Sequence, residues 1–398
     1  MRLFQILTVT ILLTSFPLHA ADDAFAELAR QHQHPMSVTG DNFAGPGWDL
    51  ISERVAGAQQ VLLGEDHFTN EIPLLIGAIA GIGNYDYFYI EVDPFSTRII
   101  ERSFLDMNAE QRAKFRREFG DLYSFYALQP EYALLDRLVR NGAGLLGSDQ
   151  IVMFSDRLIF QDLLARTENE LAQEIYSRIV RQSQERFDRF LQNSGQPDFS
   201  LFYFMSGEFA TDLDQLSELS LSEEEQAVID AARRSIDIYQ KQSHRTRVQL
   251  IKHQLMLDYP RWIGGRNLFK YGANHLARGE SFLTVQDIGA MIANLAEATY
   301  QESVHVMVLG ESGEQGSPFR GFPPSEVDPE GFYLKHLQPF FRLTEGPDWA
   351  VFDLVPLRRA FERGELSIDN INLVRSIKGY DLLVLIPVVT PAGFPVFD

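Results

Sequence analysis

Apolar and polar positions along this chain follow two periods, one of strands and one of helices, and the change from one to the other is most abrupt at residues 61–67. Val61, Leu62 and Leu63 form an apolar run that stops at Gly64, and Glu65, Asp66 and His67 follow with no spacer. A run this short and apolar, bounded by glycine, predicts a buried strand that delivers ionisable groups to its end. The next segment reads as a helix. Asn70 is placed to cap it, Pro73 suits a first turn, and Leu74, Leu75, Ile76, Ala78 and Ile79 supply apolar content until Gly81 and Gly83 stop it. A second strand at 87–92 completes a βαβ unit, and such units give parallel strands.

Before this unit the pattern predicts a short helix at 22–33 and an irregular approach through Gly40, Gly45, Pro46 and Gly47. After it, a helix at 131–140 leads into a short strand that ends at Ser148 and Asp149. The stretch Gly142-Ala143-Gly144-Leu145-Leu146-Gly147 has G-x-G-x-x-G spacing, but it follows a helix and enters a strand, the reverse of what a dinucleotide site requires. Asn141 and Gly142 read instead as a helix C-cap. From 151 to 259 strand-like runs largely vanish, and Val248, Ile251 and Leu255 follow a helical spacing. Aromatic residues crowd 199–209 and suit the core of this helical segment, or else the lining of a pocket for an apolar ligand. Strand pattern returns at 268–272, then a helix at 288–300, a strand at 304–309, a Gly- and Pro-rich loop at 310–330, and strands at 350–355 and 382–389. The expected fold is α/β: a mainly parallel central sheet flanked by helices, with core halves at 21–150 and 260–398 and a helical insertion or cap at 151–259.

The first twenty residues change the compartment. Arg2, an apolar run, Pro17 and the ending Leu18-His19-Ala20 have the layout of a secretory signal peptide at 1–20. Cleavage after Ala20 predicts a periplasmic or secreted protein, and no later segment is apolar for long enough to span a bilayer. There is no cysteine, which removes disulfides, thiolate metal sites and cysteine nucleophiles together. A formal charge of −20 is unsuited to nucleic acid and serves solubility. The expected partner is a small-molecule or peptide substrate. H-E-x-x-H, G-x-S-x-G and Walker A patterns are all missing, so the commoner zinc-protease, serine-hydrolase and nucleotide routes have no support.

The candidate chemistry lies at strand ends. LFKYGANH at 268–275 repeats the grammar of VLLGEDH, with His275 three residues after Gly272 as His67 is three after Gly64. Parallel strands bring their C-terminal ends to one edge, where ligands bind in open α/β sheets. A single site is therefore predicted from Glu65, His67, Glu91, Asp149 and His275, with Asp66, Asp93, Asn274 and Arg278 nearby. Glu65 and His67 share a face of an extended segment, whereas Asp66 points away. Three chemistries suit this set. His67, Asp149 and His275 could hold a divalent metal such as manganese, cobalt or zinc; a histidine could act as general base on water, held by a carboxylate; or His67 and His275 could ligate haem iron. Arg278 suits a clamp on a substrate carboxylate or oxyanion, and equally a salt bridge with a surplus acid. His244 and His253 read as solvated helix residues, and His305 and His336 as structural ones.

In VLLGEDH, YFYIEVD, LFKYGANHLARG and the closing YDLLVLIPVVTPA, the sequence resembles the superfamily that groups ChaN-type haem-binding proteins, Tiki and TraB proteins, and erythromycin esterases. The resemblance covers 61–149 and 268–391 and leaves out the insertion. It implies an α/β fold with two histidine turns. The Tiki-like branch would make His67 and His275 ligands of a peptidase metal, and the esterase branch would make His67 a base on water with Glu65 and Glu91 beside it. The ChaN-like branch would bind haem. The spacing from Glu65 to His67 is closer to the ChaN pattern, because erythromycin esterases carry one more residue between acid and histidine, while this chain is longer than a ChaN-type protein. The resulting expectation is an exported hydrolase that activates water with His67 and His275, assisted by a metal, and the alternative is a haem- or iron-binding protein without hydrolytic activity.

Overall fold

The computed structural model describes residues 18–193 and 197–397. The predicted leader, 1–20, thus lies almost wholly outside the described residues, and only its last three positions enter a helix, Leu18–Gln31. No helix among the described residues is long and apolar enough to cross a membrane.

Eleven strands follow in chain order: β1 (Gln33–Thr39), β2 (Asn42–Ala44), β3 (Gln60–Glu65), β4 (Tyr87–Ile90), β5 (Gly144–Gly147), β6 (Asn267–Gly272), β7 (Ser303–Gly310), β8 (Glu314–Gln315), β9 (Ser325–Glu326), β10 (Trp349–Asp353) and β11 (Leu382–Ile386). Nine of them form one sheet in the order β2-β1-β10-β11-β7-β3-β6-β4-β5. The six strands from β11 to β5 are parallel, and β10, β1 and β2 add an antiparallel edge. The α/β fold with a mainly parallel sheet is therefore as the periodicity predicts. β1 and β2 depart from it, since the sequence analysis reads that stretch as irregular. Their pattern is poor in apolar residues, and β1 carries Pro35, a residue confined to edges and bulges of sheets.

β3 is buried at every position, which is why its run is apolar without alternation. Helices cover both faces and divide the core in two. On one face Leu63, Val61 and Val306 pack with Ile76 and Ile79 of helix Glu71–Ala80; on the other Leu62, Phe269 and Met307 pack with Ile288 and Ile292 of helix Ile288–Ala298. Between β5 and β6 the described residues are helical: Asp156–Arg166, Glu170–Leu191, Gly207–Ser217, Glu223–Lys241 and His244–Leu257. The aromatic stretch sits in the core of this segment. Phe202 and Phe204 are buried, and Phe202 packs 4.6 Å from Phe190 and 6.1 Å from Phe319, which the Gly- and Pro-rich loop sends over to meet them. Phe202 to Phe204 therefore cover no haem-sized face at the strand ends. The glycines at 142–147 build β5, where a side chain at Gly147 would lie 2.3 Å from the carbonyl oxygen of Val92.

Candidate functional site

The two histidine turns are neighbours because β3 and β6 are neighbours. Gly64 pairs with Tyr271 and Glu65 with Gly272, so the chain leaves the sheet at adjacent points on the same edge. Both glycines are required there for space. A Cβ at Gly64 would sit 3.0 Å from Cα of Ala273, and one at Gly272 would sit 3.0 Å from His67 Nε2.

Glu91, just beyond β4, is the centre of the arrangement. One carboxylate oxygen accepts from Gly272 N at 2.6 Å and lies 3.5 Å from His67 Nε2; the other accepts from Arg247 Nη2 at 2.6 Å and lies 3.5 Å from His275 Nε2. Burial opposes its charge, yet His275, His67 and Arg247 outweigh that and hold Glu91 far below the usual carboxylate range. Each histidine then has its own orienting acid at the opposite nitrogen. His67 Nδ1 meets Glu65 at 2.8 Å and His275 Nδ1 meets Asp287 at 2.9 Å. A carboxylate can only accept, so Nδ1 of each ring carries the proton and Nε2 is left towards Glu91. Burial lowers both imidazoles, but Glu65 and Glu91 overcome it for His67, and Glu91 and Asp287 do so for His275, so both stand above their ordinary value.

Behind Glu65 lies a buried ion cluster. Lys270 of β6 donates to Glu65 and, at 3.0 Å, to Glu131, all three almost without exposure. Withdrawing one member of such a cluster costs about 3–5 kcal/mol, because a buried charge is left uncompensated. Glu131 is raised to about 7, by burial first, against the pull of Lys270. On the open side of His67, Phe125 stacks at 4.2 Å, and Phe68 follows at 5.7 Å with φ at 70°. A bulky residue in the left-handed region at this turn is a local strain that packing must hold.

These groups share a cavity of about 360 Å³, lined by Glu65, Asp66, His67, Glu91, His244, Arg247, Asn274 and His275 at its floor and by Phe282, Leu283, Met307, Tyr333, His336 and Tyr380 around it. Asp66 does not turn away from it: one of its oxygens is buried without a partner, and burial lifts its carboxyl to about 6. A larger cleft of about 1030 Å³ lies elsewhere, by the N-terminal ends of β7 and β11. There Asp381 is held by Arg278 and Arg358, and Glu280 by Arg375.

Of the residues read from sequence, Glu65, His67, Glu91 and His275 come together. Asp149 comes too, but with both oxygens on Arg247, at 2.5 and 3.0 Å, so it positions the guanidinium and has no oxygen left over for the metal set of His67, Asp149 and His275. Arg278 is elsewhere. It lines the larger cleft and is bound to Asp381 at 2.6 Å and to the carbonyl of Ser303 at 2.9 Å, which is the salt-bridge use of the two that its sequence left open. Asp93 caps helix Pro94–Leu105 through Phe95 N and Ser96 N. Three residues around His275 were missed, as were Lys270 and Glu131 behind Glu65. Arg247 and His244 belong to the helical segment, which thus contributes to the floor and does more than cover it, and Asp287 caps helix Ile288–Ala298. His244, expected to be solvated, is 3.6 Å from Asp287, while His253 is exposed. The signals for the three around His275 are the i, i+3 spacing of His244 and Arg247, which places both on one helix face, and the position of Asp287 immediately before the helix read from 288.

No family profile and no curated protein sequence matches the chain. Solved structures do. A Bacillus cereus protein superposes with a TM-score of 0.51 at 13% identity, covering 94% of this chain and 99% of its own. A succinoglycan biosynthesis protein gives 0.56 at 13% over 94% and 99%, and a mutant of the erythromycin esterase EreC in its open conformation gives 0.51 at 13% over 88% and 95%. At this identity the likeness is one of fold: the chain has the α/β fold of these solved structures, an erythromycin esterase among them.

Proposed function

We propose that the protein is an exported hydrolase of carboxylic esters, in which His67 is the general base that activates water. The observation that carries this reading is the chain Lys270, Glu65, His67: a buried ammonium holds the carboxylate, and the carboxylate fixes the imidazole with Nδ1 protonated and Nε2 towards the cavity. An imidazole so oriented, with its basicity raised by Glu65 and Glu91, is tuned for taking a proton near neutral pH. Water bound at Nε2 gives up its proton to His67 as its oxygen attacks the acyl carbon. The imidazolium then returns that proton to the leaving alkoxide, and acid and alcohol are released. Glu91 stabilises the imidazolium between the two transfers. The ester class is supported by the shared fold of the erythromycin esterase, and the cavity of about 360 Å³ is in the range of small-molecule sites.

The test is turnover of a panel of esters and lactones by the wild type and by His67→Ala. Removal of a general base lowers kcat by roughly 10²–10⁴-fold. The variant should keep its circular dichroism spectrum, because the His67 ring is partly exposed and Glu65 keeps Lys270 as its partner when the hydrogen bond to His67 and the stacking on Phe125 are lost. Turnover by His67→Ala equal to wild type on a substrate the wild type cleaves would remove the base as assigned.

A further inference from the structure

We infer that His244, His275 and Asp287 form a binding site for a divalent cation of the zinc class, on the far side of His275 from Glu91. One ligand atom from each residue lies within 4.8 Å of the other two. The three come from different elements: His244 opens helix His244–Leu257, His275 ends the turn after β6, and Asp287 precedes helix Ile288–Ala298. Asp287 has divided its oxygens. Oδ1 accepts from Ile288 N at 2.7 Å, and Oδ2 is the one near both imidazoles, 2.9 Å from His275 Nδ1 and 3.6 Å from His244 Nε2. Two imidazoles and a carboxylate with further positions open are a ligand set that zinc uses in catalytic sites.

Two other observations point to a ligand there. His244 Nε2 is buried and has no hydrogen-bond partner, although the acid that could accept from it is only 3.6 Å away. A buried nitrogen in that state has a donor unsatisfied or a lone pair unused, and a cation between it and Asp287 would use it. The second observation is the outer shell. A metal-bound histidine commonly donates its other N–H to a carboxylate, and His275 Nε2 already faces Glu91 Oε1 at 3.5 Å, with Glu91 fixed by Arg247 and by Gly272 N. The charge is also suited. Glu91 and Asp287 flank His275, and the guanidinium of Arg247 beside Glu91 is already matched by Asp149, an excess of carboxylate that a dication offsets. Binding exchanges the proton on His275 Nδ1 for the cation, and the proton is released to solvent. Both imidazoles line the cavity, so the open positions face it.

This site differs from the His67, Asp149 and His275 set expected from sequence, and it does not depend on the hydrolase reading. The experiment is titration of chelator-treated wild-type protein with Zn²⁺ by calorimetry and with Co²⁺ by visible absorption, beside His244→Ala, His244→Gln, Asp287→Asn and His67→Ala. The expected result is one cation per chain in wild type and in His67→Ala, with affinity lowered about tenfold or more in the other three variants. His244 is partly exposed at a helix start, so its two variants should fold, which circular dichroism checks. Wild-type affinity in both His244 variants, or no cation in wild type, would overturn the assignment. Loss in His67→Ala with binding kept in the His244 variants would move the cation to the strand-end histidines.

Discussion

Glu91 is the residue through which the two histidines share one charge balance. It meets both Nε2 atoms at 3.5 Å, too long for good hydrogen bonds but close enough to favour protonation of each ring. For His67 the sign is direct. A neutral base is needed, and His67 stands above its ordinary 6.5, so the rate should rise with pH along an acid limb centred above that value. Glu91→Gln removes an anion that stabilises the imidazolium, so the limb should move to lower pH while the maximal rate falls. A pH–kcat/KM profile of the two proteins checks this, and a limb that stays or moves up would mean that another group titrates. Residues such as Glu91 were legible because strand ends advertise them: an acid after the apolar Tyr87 to Ile90 is costly unless partnered. Arg247, His244 and Asp287 were not, because their roles arise from tertiary approach of helices far apart in sequence, and a charged helix residue looks the same whether it faces water or a buried acid. Arg278 shows the converse error. Its nearness to His275 in sequence suggested the site, but over the two intervening residues the chain carries it away to Asp381.

At the scale of elements, the pairing of β3 with β6 makes one site of two turns, and the glycines in them separate its structural cost from its catalytic cost. A methyl at Gly64 would meet Tyr380 Oη at 2.9 Å and backbone of Ala273 at 3.0 Å, between a strand and the turn beside it. Gly64→Ala should therefore destabilise the protein by about 1–3 kcal/mol, as overpacking does, which denaturant midpoints would read. Gly272 has φ −52° and ψ 142°, open to any residue, and the methyl would press instead on His67 Nε2 and, at 3.5 Å, on Glu91. Gly272→Ala should leave the midpoint close to wild type and lower kcat roughly tenfold by displacing the base. Equal stability loss in both would show that the second turn is also part of the packing. Apolar runs alone sufficed for β3, β4, β6, β7, β10 and β11, although β6 buries Lys270 and β7 buries His305 within them. They failed for β1 and β2, where pairing of β1 with β10 and of β2 with β1 supplies backbone hydrogen bonds that no side-chain pattern announces.

For the molecule as a whole, buried titratable groups pull stability in two directions with pH. His305 and His336 are held neutral, by burial first, with values near 4. Their stabilisation is complete above 6.5 and is lost as pH falls to 4. Asp66, Asp93 and Asp156 are raised by burial to about 6, so their contribution is complete below 3.8 and is lost as pH rises through 6. Each group shifts by about 2 units, worth about 3 kcal/mol, so the two histidines and the three aspartates oppose one another over the same pH window. Removing one member unmasks the other side. Asp93→Asn is the cleanest choice, since asparagine can still accept from Phe95 N and Ser96 N at the start of helix Pro94–Leu105, while it has no proton to gain on acidification. The variant should match wild type at pH 4, where Asp93 is protonated, and exceed it as pH rises, by up to about 3 kcal/mol at pH 7. Thermal melts at several pH values measure it. A variant that tracks wild type throughout would show that Asp93 is already ionised in the folded chain, with the helix N-terminus and its two backbone donors outweighing burial.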